Sequence, residues 1–398
     1  MSTQPGKEPV TTDVLIVGGG IAGPALAARL APTGWNIVLV ERNPDVIDTA
    51  RGDHLQPYIA ALLERWGLLE RFMAAGAEKR MGTVWKSVDG QVLLDGAVDD
   101  LVIPNPYYLY LNHEKISDVF LAAAAENPAF RLIRPASFQG LDRSGDESEA
   151  VIRDADGQHF RIKASLIVGA DGRSSRVRSA AGIEAERYDY ENPIAIVFVA
   201  PSSPDPRNEL VAYACECGSV LVVPRTSGGW KLGVPVPRSD LKFWHGAGPQ
   251  EIIDWFGSRI PDIRFSEPSA VTFYPVRMVS AQRWTRENVV VIGDACHAMH
   301  PARGQGMNIA LRCVDELAAA LETCGEKPGG AALCQSARDY ETRTAPQIRA
   351  VEEENHRQGI LMDEAAAMPV TAVHGFLRSI AADLERLKAF RLELAGYA

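Results

Sequence analysis

The segment VVVIGDACHAMHPARGQGMNIALR, residues 289–312, carries more chemically capable residues than a plain strand-to-helix connection needs. Asp294 is predicted to end a buried strand, where a carboxylate can bind a ribose or ribitol hydroxyl. His297 and His300 follow, and the run GQGMN then precedes a helical pattern. Backbone N–H groups at a helix start can hydrogen-bond a carbonyl or an anionic ring edge. A metal site would need a third ligand, and none is evident, so we predict no metal.

A second such segment lies near the start of the chain. DVLIVGGGIAG contains Gly18-x-Gly20-x-x-Gly23 between a predicted strand and a helical pattern. In that context Gly18 permits a tight turn, Gly20 lets a pyrophosphate approach the backbone, and Gly23 allows close helix–strand packing. Glu41, at the end of the next predicted strand, can accept hydrogen bonds from ribose hydroxyls. The motif predicts a dinucleotide site, but it does not choose between NAD and FAD.

A third segment, LIVGADGRSSRVR, places Asp171 and Gly172 after an apolar strand and before several arginines. The local pattern fits a ligand site and a plain turn with basic helix-start residues equally well.

Single residues add candidates for catalysis and substrate binding. His54, in the loop ARGDHLQP, could act as a general base because an imidazole titrates near neutral pH; a solvated loop histidine is the alternative. Tyr213 alternates with cysteines along a predicted strand and could face a substrate or the core. His300 is predicted in the pocket wall. Arg303 could attract an anionic substrate or form a surface salt bridge.

The elements that must position these residues form an α/β pattern. A βαβ unit opens the chain, DG hairpins follow, residues from about 186 to 280 are β-rich, and the chain is mainly helical from about 308. We predict a Rossmann-like dinucleotide-binding domain, an inserted and mostly antiparallel β-sheet substrate domain, and a helical C-terminal tail. Their predicted extents are 1–75, 100–185 and 280–330 for the first, 76–99 and 186–279 for the second, and 331–398 for the third.

Composition excludes several function classes. The 398 residues carry a formal net charge of −10, which argues against a grip on nucleic acid or anionic membrane. The six cysteines form no CxxC pair or disulfide framework. No signal peptide and no apolar run long enough to span a bilayer is evident, so we expect a cytoplasmic protein. The oligomeric state cannot be predicted.

Taken in order, GGGIAG with Glu41, GADGRSSRVR and GDACHAMHP…GQGMN resemble the class A flavin monooxygenases, the flavoprotein aromatic hydroxylases of the para-hydroxybenzoate hydroxylase type. The resemblance implies FAD as cofactor, NAD(P)H as co-substrate without its own Rossmann domain, and hydroxylation of an aromatic or polyketide-like small molecule by dioxygen through a flavin C4a-hydroperoxide. A halogenase or polyprenyl reductase of related fold, and a non-catalytic flavin-fold binding protein, are the alternatives.

The resemblance also implies which residues hold FAD. Arg42 and Arg51 are candidates for the phosphate side, and His113 stands where the family usually has an arginine. His300 and Arg303 depart from the family pattern beside the flavin. The implied FAD-binding residues are Gly18, Gly20, Ala22, Gly23, Glu41, Arg42, Arg51, His113, Asp171, Asp294, Pro301, Gly304, Gly306, Met307 and Asn308.

Overall fold

Short apolar runs along the chain become strands. The computed structural model describes residues 10–45, 53–143, 148–201, 209–216, 218–260, 264–365 and 368–397, apart from the side chains of residues 201, 303 and 365. In chain order, the strands of this part are β1 (Val10–Val17), β2 (Ile37–Val40), β3 (His54–Leu55), β4 (Glu78–Arg80), β5 (Thr83–Ser87), β6 (Val92–Asp95), β7 (Tyr108–Tyr110), β8 (Phe130–Ile133), β9 (Ser137–Asp142), β10 (Glu149–Arg153), β11 (His159–Gly169), β12 (Ala185–Asp189), β13 (Ile194–Pro201), β14 (Leu210–Cys215), β15 (Gly218–Pro224), β16 (Trp230–Pro235), β17 (Phe265–Ser266), β18 (Thr272–Tyr274), β19 (Arg277–Ala281), β20 (Thr285–Arg286), β21 (Val289–Val291) and β22 (His297–Ala298).

Helices connect these strands and make up most of the C-terminal third. They are α1 (Ala22–Leu30), α2 (Pro57–Arg65), α3 (Leu69–Ala74), α4 (His113–Ala124), α5 (Arg176–Ala180), α6 (Leu241–Gly246), α7 (Pro249–Gly257), α8 (Gln305–Glu322), α9 (Gly330–Ala365), α10 (Val370–Ala381) and α11 (Leu384–Leu394). None of these described helices has both the length and the apolar character needed to cross a membrane.

The first sheet is the predicted Rossmann-like sheet. Its strands run in the order β20-β21-β11-β1-β2-β8, and β10 and β9 extend it from β11. The pairs β1–β11, β1–β2, β2–β8 and β11–β21 are all parallel, so the carboxyl ends of these strands meet at one edge. Ligands in open α/β sheets bind outside that edge, which makes it the place to look for the site.

A second sheet runs in the order β17-β13-β16-β15-β14-β5-β6. Its described pairs are antiparallel except β14–β5, and one face packs on α6 and α7 through a separate apolar core. The predicted DG hairpins form, one as β5–β6 and the other as β10–β11. The predicted α/β class with an inserted, mostly antiparallel sheet and a helical C-terminal region is confirmed.

Two local predictions are wrong by a few residues. Asp294 does not end a strand: β21 stops at Val291, and Asp294 sits on a single 3-10 turn. The cause is Gly293, whose φ of +57° leaves the extended conformation. Gly306 does not precede α8 but is its second residue, because Gly304, with a φ of +61°, already caps the helix start.

Candidate active site

The three glycine-containing segments meet at the carboxyl edge of the first sheet. Gly18, with a φ of +116°, passes so close to the Ala170 carbonyl that a Cβ there would overlap it. Gly293 would place a Cβ 3.1 Å from the Cβ of Ala22, the first residue of α1. Segments that lie far apart in the sequence are therefore joined by backbone contacts at which side chains do not fit.

Arg178 provides a further connection between these segments. It is 1% exposed, and its Nη1 donates to the Ala295 carbonyl at 2.6 Å while Nη2 donates to the Arg173 carbonyl at 3.1 Å. Burial lowers the pKa of this guanidinium. Arg178 is therefore buried, and it fixes the backbone next to Asp294 instead of contacting a ligand at the surface.

Two helix N-termini are open toward this edge. Neither α1 nor α8 has a side-chain cap, so their first N–H groups are left for another partner. A Cβ on Gly20 or on Gly306 would meet nothing within 4 Å, whereas a Cβ on Gly23 would overlap the Gly18 carbonyl. Gly23 is needed for packing, but Gly20 and Gly306 leave space where a ligand can approach the backbone. Uncapped helix starts beside open glycines fit the diphosphate and ring edge of FAD.

Two predicted cofactor-binding carboxylates already have backbone partners. Glu41 accepts hydrogen bonds from the N–H of Gly19 at 2.6 Å and of Asn43 at 2.7 Å. It therefore sits against the glycine turn, where its remaining lone pairs can reach a ribose.

Asp171 has a local role at the start of α5. It accepts hydrogen bonds from the Ser175 hydroxyl at 2.5 Å and from the N–H groups of Arg176 and Val177 at 2.7 and 3.2 Å. This is the geometry of a helix-capping side chain, so the structure supplies a structural reason for the Asp-Gly motif. Its contact with the cofactor stays a prediction.

The candidates for the phosphate side are placed differently from one another. Arg42 is exposed directly after β2, and Arg51 lies outside the described residues. His113 is buried as the first residue of α4, the helix whose Ser117 hydroxyl donates to the Gly19 carbonyl at 3.2 Å. The helix that begins at His113 therefore contacts the glycine turn through Ser117.

His54 and the GQGMN turn are in direct contact. A Cβ on Gly304 would lie 2.5 Å from the Nε2 atom of His54, so only glycine fits beside this ring. The N–H of Gln56 donates to the Asn308 Oδ1 at 2.8 Å, and the Asn308 Nδ2 donates to the Gly304 carbonyl at 2.9 Å. The segment between β3 and α2 and the start of α8 thus form one hydrogen-bonded unit.

The surroundings of His54 make it a weaker base than a free imidazole. Burial lowers the pKa of His54 to about 4, with the Asp53 carboxylate raising it and the Lys231 ammonium lowering it to lesser extents. The ring stacks on Tyr110 with centroids 5.7 Å apart. His54 is therefore neutral at pH 7, and its predicted role as catalytic base stays a prediction.

A buried ion pair adjoins His54 and was not predicted from the sequence. The Lys231 Nζ lies 2.7 Å from the Asp53 Oδ2, and both side chains are more than nine-tenths buried. Lys231 belongs to β16 of the second sheet, whereas Asp53 precedes β3. The pair joins the second sheet to the short sheet of β3, β7 and β4, immediately beside the predicted site. A lone lysine in the apolar strand WKLGVP was the available signal.

His300 lies on the other side of the same turn, in the wall of a cavity. Its neighbours in that wall come from the second sheet and from α9. The lining residues are Asn192, Ile194, Ser219, Leu221, Gly233, Val234, Pro235, His300, Met362 and Asp363. His300 lines this cavity, and its predicted contact with a substrate stays a prediction.

The remaining candidates are less informative. Pro301 and Met307 flank the turn and are partly buried, and the Arg303 side chain lies outside the described residues. Tyr213 is fully buried in the core that packs on α6 and α7. The structure does not bring Tyr213 to the cavity, because the lining positions Leu221 and Gly233 alternate with the residues of that core.

Comparison with known proteins agrees with the class that this fold and site define, a flavin-dependent oxidoreductase. The family model described as an FAD binding domain matches residues 11–355. The ubiquinone hydroxylase UbiL of Rhodospirillum rubrum is 31% identical over 358 residues, which is 86% of this chain and 79% of that protein. The 6-methylpretetramide 4-monooxygenase of Streptomyces rimosus is 28% identical over 325 residues, 78% of this chain and 75% of that protein.

A solved structure has the same fold. The anhydrotetracycline hydroxylase OxyS from Streptomyces rimosus superposes with a TM-score of 0.76 at 20% identity, covering 97% of this chain and 76% of that one. The chain belongs to the FAD-binding domain family of aromatic hydroxylases. It is an FAD-dependent monooxygenase with NAD(P)H as co-substrate.

Proposed function

We propose that this enzyme hydroxylates a small aromatic or polyketide-like compound in the cavity lined by His300. The observation that carries the proposal is the position of the turn from His300 to Gly304. One end of the turn borders the cavity, and the other end caps α8, where Gly306 leaves an open approach to the backbone. The cavity has a volume of about 30 Å³, so it must widen for a ring to bind. A ring bound there and a flavin at the α8 start would share this turn as a common border.

The chain's own residues bind, orient and shield. The uncapped start of α1 and the open Gly20 would hold the diphosphate of FAD, and Glu41 the ribose. The start of α8, with Gly306 and Asn308, would hold the ring edge, and Asp294 the ribitol. FAD supplies the transfer of reducing equivalents from NAD(P)H and the activation of dioxygen. His54, neutral and packed against Gly304, would accept or donate one hydrogen bond at the reacting ring.

The aromatic nature of the substrate has two supports. The cavity wall is largely apolar, with few polar groups, as expected for a small hydrophobic ligand. Four relatives are named as hydroxylases or monooxygenases of ubiquinone, 6-methylpretetramide, 3-demethoxyubiquinol and pentachlorophenol, all oxygen-bearing ring compounds. The proposal therefore names a class of ring compound and not an individual substrate.

We also propose the predicted division into domains and the predicted location. The strands of residues 83–95 pair with the sheet of residues 194–235, which supports assigning 76–99 and 186–279 to one substrate domain. The five described free cysteines and the use of NAD(P)H support a reducing, cytoplasmic setting.

Purified flavin-loaded enzyme tests the proposed function directly. NAD(P)H consumption is measured with a panel of phenols, naphthols and anthraquinones under isotopically labelled dioxygen, and products are analysed by mass spectrometry. The proposal predicts substrate-stimulated NAD(P)H oxidation and one labelled oxygen atom in the product. Chloride-dependent products would indicate a halogenase instead. NAD(P)H oxidation that no ring compound stimulates would refute the proposal.

Gly20 offers a matched test of the cofactor site. Gly20→Ala should fold normally, because the added Cβ meets no protein atom, but should bind FAD at least tenfold more weakly if the diphosphate occupies that space. Gly375→Ala is the control, because Gly375 also has open surroundings and no positive φ but lies in α10. Equal FAD affinity in the two variants would contradict the placement.

A further inference from the structure

The His300 ring is held in place by one hydrogen bond and by packing against neighbouring residues. The N–H of Ala302 donates to the His300 Nδ1 at 3.0 Å, and the ring contacts Tyr190 edge-on with centroids 4.6 Å apart. A Cβ on Gly359 of α9 would lie 2.9 Å from the His300 Cγ and 2.6 Å from the Tyr190 Cε1. Gly359 therefore allows the long helix α9 to press both rings into place.

The backbone on both sides of Pro301 is fixed by the same helix. The Asn355 Nδ2 donates to the His300 carbonyl at 3.1 Å and to the Ala302 carbonyl at 3.3 Å, and Asn355 is 2% exposed. The Tyr190 hydroxyl bonds the His356 Nδ1 at 2.8 Å, so that hydroxyl is already occupied. Tyr190 thus positions His300 by ring contact.

These contacts settle which nitrogen of His300 carries the proton. Because Nδ1 accepts from the Ala302 N–H, the neutral ring must carry its hydrogen on Nε2. Burial lowers the pKa of His300 to about 4, so the ring stays neutral at physiological pH. His300 therefore presents one N–H donor, and Nε2 forms no hydrogen bond with the described residues.

The other polar groups of the wall are mostly committed. The Asp363 carboxylate accepts from the N–H groups of Glu191 and Asn192 at 2.9 and 3.4 Å, and the Asn192 Nδ2 donates to the Asp363 carbonyl at 3.3 Å. The lining residues of the described chain include no lysine or arginine. Among the described residues, the His300 Nε2–H is therefore an unpaired donor on a side chain that lines the cavity, with the part-exposed Ser219 hydroxyl as its nearest rival.

We propose that His300 determines specificity by donating its Nε2–H to a phenolic or keto oxygen on the substrate ring. A neutral donor in an apolar wall suits a neutral acceptor oxygen and leaves a ring without oxygen unpaired. Leaving the buried donor unsatisfied costs free energy, so the site should reject the oxygen-free ring. This inference rests on the proposed function, because it assumes that the cavity holds the ring to be hydroxylated.

Binding of paired probes to the flavin-loaded enzyme tests the inference. The probes are phenol and 2-naphthol with their oxygen-free parents benzene and naphthalene, and binding is measured as perturbation of the flavin absorbance. The measured quantity is the ratio of affinities within each pair, compared between variants. His300→Leu should lower that ratio roughly tenfold, because one hydrogen bond is lost. His300→Gln, whose amide N–H lies close to the Nε2 position, should keep the ratio within about threefold of wild type.

Gly359→Ala provides an independent variant that changes no polar group. Its methyl should displace the His300 and Tyr190 rings and lower the ratio as His300→Leu does, with flavin content unchanged. The inference is overturned if His300→Leu keeps the wild-type ratio, if His300→Gln behaves like His300→Leu, or if no hydroxylated probe perturbs the wild-type flavin.

The proposed function can fail separately. Oxygen-selective binding without labelled product would keep the role of His300 and refute hydroxylation of these rings, whereas labelled product with unchanged ratios would do the reverse.

Discussion

Replacing Lys231 by methionine would leave one charge buried beside the active-site turn. In the wild type the Lys231 ammonium and the Asp53 carboxylate lie 2.7 Å apart, and both side chains are almost completely buried. At that distance their attraction is about 6 kcal/mol for an effective dielectric constant of about 20, and it offsets a desolvation cost of similar size. Lys231→Met removes the attraction but keeps the desolvation cost of the Asp53 carboxylate, so we expect a loss of about 3–5 kcal/mol in the free energy of unfolding.

The double variant Asp53→Asn/Lys231→Met separates charge from packing. It has neither charge, so its loss should be smaller than that of Lys231→Met. Urea unfolding monitored by tryptophan fluorescence and flavin absorbance measures all three proteins. The reasoning is refuted if the double variant loses as much stability as the single one.

Three other predictions concern the α8 start, Glu352 and His54. Gly304→Ala should lower the free energy of unfolding by at least about 1–2 kcal/mol, because alanine is strained at a φ of +61° and its methyl meets the His54 ring. Gly306→Ala should leave the apo protein's melting temperature unchanged or higher and should weaken FAD binding. Burial raises the pKa of Glu352 to about 7 from an unfolded value of 4.5, so stability falls as pH rises through that window. Glu352→Gln should therefore raise the free energy of unfolding by up to about 3 kcal/mol over wild type at pH 8 and by little at pH 4.5. An equal gain at both pH values would contradict the argument from the buried acid. His54→Gln, which keeps a donor–acceptor group, should retain more oxygenation in single-turnover measurements than His54→Ala, and equal rates in the two would leave His54 no part in the reaction.

The parts of the site that were predictable are those with local causes. Gly18, Gly20 and Gly23 act through backbone conformation and close approach within one strand–turn–helix unit, so their pattern can be read from a dozen residues. These predictions depend on the order of elements, which hydrophobic periodicity indicates well.

The parts that could not be predicted depend on which distant surfaces pack together. Asp53 and Lys231 are 178 residues apart, and nothing in either local pattern names the other as a partner. The placement of Tyr190 and Gly359 against His300 requires α9 to pass beside β13, β15 and β16 of the second sheet. A glycine inside a long helical run costs about 1 kcal/mol relative to alanine, so Gly359 was a visible sign of close packing without an indication of its target.

The turn from His300 to Gly304 is supported from two independent directions, and this has a consequence for how its two sites can change. Gly304 is held on the cofactor side by His54, which stacks on Tyr110 beside the buried Asp53 pair. His300 is held on the cavity side by α9, through ring contacts and through Asn355. Because no described hydrogen bond of His300 involves the His54 loop, substitutions around Gly359 can reshape the cavity wall while the contact of His54 with Gly304 is kept. The face of α9 around Gly359 is therefore where substrate preference can diverge while the flavin chemistry stays the same.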